Sequence, residues 1–108
     1  MDIRPVADGH TLVLPKAEAE DLFDLDPELA AATIKTTQKI ARAVDAAFRP
    51  AGILIAQLNR AGAGQSVFHL HFHILPRYHG LDMNVHGRTL AAPAVLAANA
   101  ERIRAKIE

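Results

Sequence analysis

Three of the chain's six histidines, His69, His71 and His73, recur at every second position and alternate with apolar residues. A β-strand has a side-chain period of two, so a strand over residues 64–77 would place these three imidazoles on one face. The opposite face would carry the apolar residues Leu70, Phe72 and Ile74. The pattern therefore predicts a strand that is buried on one side and chemically reactive on the other.

A neutral imidazole is an effective nucleophile toward phosphorus. It needs a fixed tautomer and donors around the phosphoryl oxygens, because phosphoryl transfer depends mainly on positioning and charge stabilisation. His71 has an imidazole on each side and is the best placed nucleophile. In the preceding loop, Gly64 and the N–H groups of Gln65 and Ser66 could approach an anion, and the Ser66 hydroxyl could donate to a leaving oxygen.

A metal site is the alternative chemistry of the same segment, because His-x-His on a strand can present two imidazoles to zinc. Such a site needs a third ligand. The glutamate that a cupin would place soon after the second histidine is absent, since Pro-Arg-Tyr occupies positions 76–78. His10 or Glu18 could still be recruited through the fold, so metal binding stays open.

The composition limits the class of protein and its partners. The 108 residues allow one domain, spanning 1–108, and half of them are hydrophobic. Twelve basic residues balance twelve acidic ones, so there is no basic footprint for nucleic acid or for a membrane surface. There is no cysteine for a disulfide or thiolate cluster. With no leader-like start and no apolar run of about 18 residues, we expect a cytoplasmic protein.

The other elements are predicted from periodicity and turn residues. Residues 11–14 and 53–58 are short apolar runs between turn residues and predict strands, with His10 at the mouth of the first. Asp26, followed by Pro27, predicts the start of an amphipathic helix that ends before Pro50. Three further elements are predicted: a short helical turn within 16–25, a glycine-rich loop at 59–64, and a final helix that begins at Pro93.

Two finer expectations follow from these patterns. The strand at 53–58 and the histidine strand should form a hairpin around the glycine-rich loop. The buried faces of the two helices should carry residues at steps of three and four, namely Leu29, Thr33, Thr37, Ile40, Val44 and Phe48 in the first and Leu96, Ala100, Ile103 and Ile107 in the second. His79 and His86 stand alone in the aperiodic loop at 78–87, and each is expected to be a half-buried, hydrogen-bonded side chain.

The segment at 69–75 resembles the His-φ-His-φ-His-φ-φ pattern, with φ apolar, of the histidine triad (HIT) superfamily, and 64–68 resembles its usual lead-in. Residues 2–5 and 9–16 look like strand regions of the same family, closest to its bacterial Hint-like branch. The resemblance implies an α+β fold in which helices pack on one face of a small antiparallel sheet. Relative to that pattern, the family's N-terminal helix and first strands are missing, so we expect either a misassigned start or an open pocket.

The resemblance also implies roles for the histidine segment and its loop. His71 would be the nucleophile that forms a nucleotidyl-imidazole intermediate, which water then hydrolyses. His73 would contact the phosphate and the bridging atom, and Ser66 the leaving group. Gly64 and Gln65 would contact the phosphate through the loop.

Further residues acquire roles from the same resemblance. His69 is the first histidine of the triad, and His10 would be the family's fourth histidine, supporting the triad from behind. Asp2 falls where the family holds the ribose hydroxyls, and Ile3 where the base packs. Asn59 matches an asparagine that lines the phosphate side in many relatives.

Family substrates are nucleoside phosphoramidates, aminoacyl adenylates and dinucleoside polyphosphates, so the implied activity is that of a hydrolase or transferase with a purine nucleotide as partner. No cofactor is required, and a homodimer whose sheets join is expected. Some relatives bind a structural zinc through two cysteines, a histidine and the first triad histidine. Because cysteine is absent and Glu18 replaces that histidine, we expect no such zinc. A nucleotide-binding module that has lost activity remains the non-enzymatic alternative.

Overall fold

The computed structural model describes residues 1–80 and 83–107. The regular elements, in chain order, are β1 (Thr11–Val13), α1 (Pro27–Phe48), β2 (Gly52–Gln57), β3 (Phe72–Arg77) and α2 (Pro93–Arg104). Short 3-10 turns lie at Leu22–Asp24 and Ala61–Ala63. The α+β architecture and the order of elements are as predicted. Of the loop predicted at 78–87, residues 81 and 82 lie outside the described residues.

The three strands form one antiparallel sheet in the order β1-β3-β2. The central strand, β3, pairs Leu12 and Ala56 with His73 from its two sides. Since β2 and β3 are antiparallel neighbours, the predicted hairpin is confirmed. Because β3 is the central strand, His73 is paired with a neighbouring strand on each side. It is therefore the most firmly placed of the three clustered histidines.

The predicted strand over 64–77 is wrong in its first half, because β3 begins only at Phe72. Residues 67–69 form a bend, and the Leu70 N–H donates to the Ala19 carbonyl at 2.8 Å instead of to a neighbouring strand. Of the three histidines in the alternating pattern, only His73 therefore lies in a strand. His71 lies just before the sheet, and His69 lies outside it.

Helix α1 begins where its capping residues predict. The Asp26 side chain accepts from the Glu28 N–H at 2.8 Å, and Pro27 occupies the first turn, where its missing N–H costs nothing. The helix ends at Arg49, which has left-handed φ of 46° and donates its N–H to the Asp45 carbonyl. Neither helix in the described residues is long and apolar enough to cross a membrane.

The core lies between the sheet and α1, which packs against β1 and β3 and in turn carries α2. Its buried members are Val13, Ala19, Leu25, Ala43, Val44, Leu70, Phe72, Ile74 and Ile103. Burial of Leu70, Phe72 and Ile74 confirms the apolar side predicted for the histidine segment. The predicted helix faces extend too far, because Leu29 (43%) and Ile107 (38%) remain exposed near helix ends.

The turn into β1 depends on Gly9, which has φ of +91° and lies against α1. A Cβ at this position would lie 3.0 Å from Phe48 Cδ2 and 3.2 Å from Pro76 Cγ. We predict that Gly9→Ala lowers the free energy of unfolding by about 2 kcal/mol, through backbone strain and crowding together. Urea unfolding measures the change.

The matched control is Gly62→Ala, because Gly62 lacks positive φ and has no atom within 4 Å of the added methyl group. This control should change the midpoint little. Equal midpoints for Gly9→Ala and the parent chain would contradict the packing described here.

Candidate active site

A cavity of about 590 Å³ lies beside the start of β3. Four segments contribute to it: the N-terminal residues, β1, the loop before the histidines, and the segment before α2. The lining residues are Met1, Asp2, Ile3, Arg4, Leu12, Ser66, Val67, His71, His73, His86 and Gly87. Two of the three clustered histidines therefore reach one cavity, and residues remote in sequence complete its walls.

The tautomer of His71 is set by the backbone. Its Nδ1 lies 2.7 Å from the His69 carbonyl oxygen, which can only accept. Nδ1 therefore carries the proton, and in the neutral ring Nε2 keeps its lone pair. A half-buried imidazole with a free Nε2 lone pair at a cavity wall is the arrangement that nucleophilic attack requires.

A second chain of hydrogen bonds sets the tautomers of His10 and His73. The Val6 N–H donates to His10 Nδ1 at 3.0 Å, so the His10 proton lies on Nε2. His10 Nε2 then donates to His73 Nδ1 at 2.9 Å, which leaves the His73 proton on Nε2. Among the described residues, 1–80 and 83–107, buried His73 Nε2 has no hydrogen-bond partner. The fold thus places an N–H donor with no partner in the described chain next to His71 at the cavity.

Both linked imidazoles are neutral at physiological pH. Burial lowers the pKa of His10 to about 4, against a smaller opposing effect of the Asp2 carboxylate. Burial also lowers the pKa of His73 to about 4, and the neighbouring His71 and His10 lower it further. The side chains are 0% and 2% exposed, respectively. These two residues therefore act as hydrogen-bonding groups and not as cations.

The N-terminal residues form one wall of the cavity. The Asp2 N–H donates to the His10 carbonyl at 3.0 Å, and Asp2 Oδ1 accepts from the Arg4 N–H at 2.9 Å. Its second oxygen, Oδ2, lies 3.4 Å from His10 Nε2. Ile3 is 56% exposed at the same wall. Asp2 is thus tied to the residue that sets the tautomer of His73.

The prediction that all three imidazoles share one face is wrong for His69. Its Nε2 donates to the Pro15 carbonyl at 3.0 Å, and the ring lines a separate cavity with Glu18, Ala19, Glu20, Asp24 and Phe68. The period of two applies only within a strand, and the chain at His69 has already left the sheet. His69 serves the site through its carbonyl, which holds His71.

The loop before the histidines is held by hydrogen bonds between its own residues. The Gly64 N–H donates to the Ala61 carbonyl at 2.9 Å, and the Gln65 N–H to the Arg60 carbonyl at 3.1 Å. The buried Gln65 side chain accepts from the Arg60 N–H at 2.6 Å and donates to the Glu20 carbonyl at 2.5 Å. The Gln65 N–H, which was predicted to approach an anion, is thus bonded within the turn, and neither Gly64 nor Gln65 lines the cavity.

Ser66 and Asn59 are placed differently from each other. Ser66 lines the cavity. Asn59 does not line it, because its Oδ1 accepts from the Leu22 N–H and from Gln57 Nε2, both at 2.9 Å. Asn59 therefore joins the 3-10 turn at Leu22–Asp24 to the end of β2.

His86 lines the cavity, which the sequence did not indicate. The sequence predicted a half-buried, hydrogen-bonded side chain; the hydrogen bond is present, but the residue is exposed. Its Nε2 donates to the Gly64 carbonyl at 2.8 Å, and its ring centroid lies 5.9 Å from that of His73. His86 occurs in an aperiodic loop, and no local pattern relates it to a glycine 22 residues earlier. Only the tertiary fold brings these residues together.

The metal alternative fits this geometry poorly. Among residues 1–80 and 83–107, Asp2, His10 and His73 form a group whose ligand atoms lie within 4.8 Å of one another. A metal on His10 Nε2 would require the proton on Nδ1, where the Val6 N–H already points. The 2.9 Å separation of His10 Nε2 and His73 Nδ1 is that of a hydrogen bond.

The structural zinc of some relatives is also poorly matched. The first triad histidine, His69, uses Nε2 as a donor to a carbonyl, so that nitrogen has no lone pair for a metal. Glu18 and His69 line the same cavity, but the described part of the chain brings no group of three ligand atoms together there.

Comparison with known proteins decides the family. A family model described as the HIT domain matches residues 1–80. The chain belongs to the HIT domain family. The segment that carries His86 follows the residues that the family model matches.

Relatives of this HIT protein include both bacterial and fungal members. The Bacillus subtilis protein hit is 46% identical over 78 residues, which are 72% of this chain and 54% of that protein. An adenosine 5'-monophosphoramidase of Schizosaccharomyces pombe is 32% identical over 111 residues, covering all of this chain and 80% of that protein. The chain spans between half and two thirds of the length of most of the curated bacterial relatives it matches.

A solved structure confirms the fold. The crystal structure of a Hit-like protein from Bartonella henselae superposes with a TM-score of 0.91 at 45% identity, covering 98% of this HIT chain and 76% of that one. The three-stranded antiparallel sheet and two helices are thus a HIT-type fold.

The lowered pKa values of His10 and His73 predict a specific dependence of stability on pH. Between about pH 6.5 and pH 4 the unfolded chain binds more protons than the folded one, so stability falls as pH falls through this window. One such imidazole accounts for about 3 kcal/mol at pH 4. Urea unfolding measured from pH 7.5 to 4.5 follows the loss.

His73→Asn keeps an acceptor for His10 Nε2 and removes one titrating ring, so it should flatten the pH profile. His79→Gln, at an exposed position, should leave the profile unchanged. A stability independent of pH between 6.5 and 5 in the parent chain would refute the assignment of neutral buried imidazoles.

Proposed function

We propose that this HIT protein is a nucleotide hydrolase or transferase that cleaves a nucleoside phosphoramidate, an adenylate or a dinucleoside polyphosphate through a covalent nucleotidyl intermediate on His71. The observation that carries the proposal is the hydrogen bond from His71 Nδ1 to the His69 carbonyl. This bond leaves the Nε2 lone pair free at the cavity wall, where a phosphorus atom could be attacked.

The neighbouring donor gives the phosphoryl group its second partner. In the proposed reaction, His73 Nε2–H donates to a phosphoryl oxygen or to the bridging atom while His71 Nε2 forms the bond to phosphorus. The His73 donor is buried and has no partner in the part of the chain that the structure describes, so a bound substrate would not have to displace one of those residues. A preorganised donor of this kind stabilises charge that develops in the transition state.

The nucleoside would occupy the wall built by the N-terminal residues. In this proposal Asp2 binds the ribose hydroxyls, Ile3 packs against a purine base, and Ser66 contacts the leaving group. All three line the same cavity as His71. Gly64, Gln65 and Asn59 would act through the shape of the loops around the site, since their described hydrogen bonds lie within the protein.

The relatives support the same class of reaction. The family match covers the whole histidine segment, and the S. pombe relative is named for the hydrolysis of an adenosine phosphoramidate. We extend the proposal to a homodimer and to a cytoplasmic location, on the basis of the family resemblance and the composition.

A nucleotide-binding module with weak activity is the second candidate. The exposure of Ile3 (56%) and Val67 (59%) favours it, because a base held between such open side chains would bury little apolar surface. The module would bind AMP without forming a covalent adduct.

His71→Ala tests the enzymatic proposal. Removing the nucleophile should lower AMP release from an adenosine phosphoramidate by more than about 10³-fold while the melting temperature stays close to that of the parent chain. Rapid-quench mass spectrometry of the parent chain should show a transient nucleotidyl adduct on His71, and His79→Ala should behave like the parent.

Undiminished turnover by His71→Ala would eliminate His71 as the nucleophile. Binding of AMP by the parent chain without turnover or adduct would establish the binding module instead.

The metal alternative has a separate test. The Val6 N–H donates to His10 Nδ1, and His69 Nε2 donates to the Pro15 carbonyl. We therefore predict that protein purified without a histidine tag carries only trace zinc, roughly less than one tenth of an equivalent. Elemental analysis measures it. Stoichiometric zinc that survives dialysis, together with a raised melting temperature, would overturn this prediction.

A further inference from the structure

His86 brings another imidazole to the cavity from the segment between β3 and α2. This segment follows the 80 residues that the family model matches. The His86 ring stands edge to face with the His73 ring at a centroid separation of 5.9 Å, and both line the cavity with His71. The roles proposed above for the triad make no use of His86.

The backbone holds this segment against the N-terminal residues. The Ala91 N–H donates to the Ile3 carbonyl at 2.9 Å. Gly87 lies so close to the N-terminal segment that a Cβ there would be 2.2 Å from the Arg4 carbonyl oxygen and 2.7 Å from that of Pro5. Only glycine allows this approach. The position of His86 is thus built into the packing of the segment.

The tautomer of His86 follows from its bond to the loop. Nε2 donates to the Gly64 carbonyl at 2.8 Å, and a carbonyl oxygen can only accept. The Nε2 proton is therefore committed, and any proton exchange by this ring takes place at Nδ1. The bond also ties His86 to the loop that carries Ser66, the residue proposed to contact the leaving group.

The imidazole of His73, which lines the cavity, and that of His10, which is hydrogen-bonded to it, are poorly suited to transfer a proton. His10 and His73, with pKa values lowered to about 4 by burial, stay neutral near pH 7. They can donate hydrogen bonds but are inefficient sources of a proton. His71 must keep Nδ1–H on the His69 carbonyl while Nε2 attacks. An amine leaving group nevertheless needs a proton as its bond to phosphorus breaks.

We propose that His86 is the general acid that protonates the leaving group. This inference rests on the function proposed above and adds a catalytic residue to it. His86 is exposed, lines the cavity and is held at Nε2, so Nδ1 is the atom that exchanges the proton with the substrate.

The step balances in protons and charge. His71 Nε2 forms a bond to phosphorus as the phosphorus–nitrogen bond of the substrate breaks, and the proton on His86 Nδ1 passes to the departing amine. The neutral His86 can then take a proton from the water that attacks phosphorus, which releases the nucleotide from His71 and restores both rings. No oxidant, reductant or metal enters this sequence.

Charged and titratable groups lie near this ring on two sides of the cavity. From the N-terminal segment, Asp2 and Arg4 line the same cavity, together with Met1 at the amino terminus. From the strand side, His71 and His73 line it, and Arg77 donates through Nη2 to the Asn84 carbonyl at 2.5 Å.

The test compares His86→Gln with the parent chain on two substrates. Glutamine keeps an N–H able to reach the Gly64 carbonyl but has no titratable nitrogen. The first substrate is an adenosine phosphoramidate of a primary alkylamine, whose leaving group needs a proton. The second is the p-nitrophenyl ester of AMP, whose leaving group does not. His79→Gln is the matched control for an exposed histidine.

We expect kcat/KM for the alkylamine substrate to fall about 100-fold in His86→Gln, which is the usual contribution of a positioned general acid. The value for the aryl ester should stay within roughly threefold of the parent value, because this step needs no acid. The variant's pH profile for the alkylamine substrate should also lose the limb that reports the acid.

Equal losses on both substrates would overturn the inference and show that His86 only supports the loop. No loss on either substrate would overturn it as well. A parent chain that turns over neither substrate would refute the proposed function itself, and this inference with it, whereas an active parent chain that tolerates His86→Gln refutes this inference alone.

Discussion

The hydrogen bond between His10 Nε2 and His73 Nδ1 is the interaction on which the rest of the site depends. It joins two buried neutral rings, one before the edge strand β1 and one in the central strand β3. A bond of this kind contributes about 1 kcal/mol net, but leaving one buried partner unpaired would cost about 1–3 kcal/mol. Its larger effect is directional, since the Val6 N–H fixes His10, and His10 in turn fixes which nitrogen of His73 donates into the cavity.

The register of the sheet makes this bond possible. Leu12 is paired with His73, and His10 lies two residues before Leu12, within hydrogen-bond distance of the His73 ring. Burial then keeps both rings uncharged, which preserves the bond because two imidazolium rings at 2.9 Å would repel each other. The burial that keeps both rings neutral therefore also preserves the hydrogen bond that orients them.

The proposed nucleophile uses a backbone that has left the sheet. Inside a ladder, carbonyl groups are taken up by the neighbouring strand, and none would be available to a side chain two residues further on. At His69 the chain is still in a bend, so its carbonyl is free to accept from His71 Nδ1. The point where the strand begins, between His71 and Phe72, thus separates the ring held by the backbone from the ring held by His10.

The cavity is closed by parts of the chain that are far apart in sequence. The N-terminal residues and the segment before α2 lie against each other, with Gly87 in contact with the Arg4 and Pro5 carbonyl groups. The His86 bond to Gly64 joins the same segment to the loop before the triad. The HIT domain match ends at residue 80, so the segment of this wall that carries His86 and Gly87 follows the matched residues.

Local chemistry in the sequence determined most of the elements. The Asp26-Pro27 cap, the short apolar runs and Pro93 predict both helices and the outer strands, because caps, prolines and periodicity act over a few residues. The alternation at 69–73 identified the chemistry and the buried side of the segment for the same reason. The tertiary structure decided what depends on distant partners. Leu70 bonds Ala19 instead of a strand, and the His69 ring points to Pro15. Gln65 and Asn59 make hydrogen bonds between loops, and His86 bonds the Gly64 carbonyl. Those outcomes follow from contacts across tens of residues, which no local period can encode.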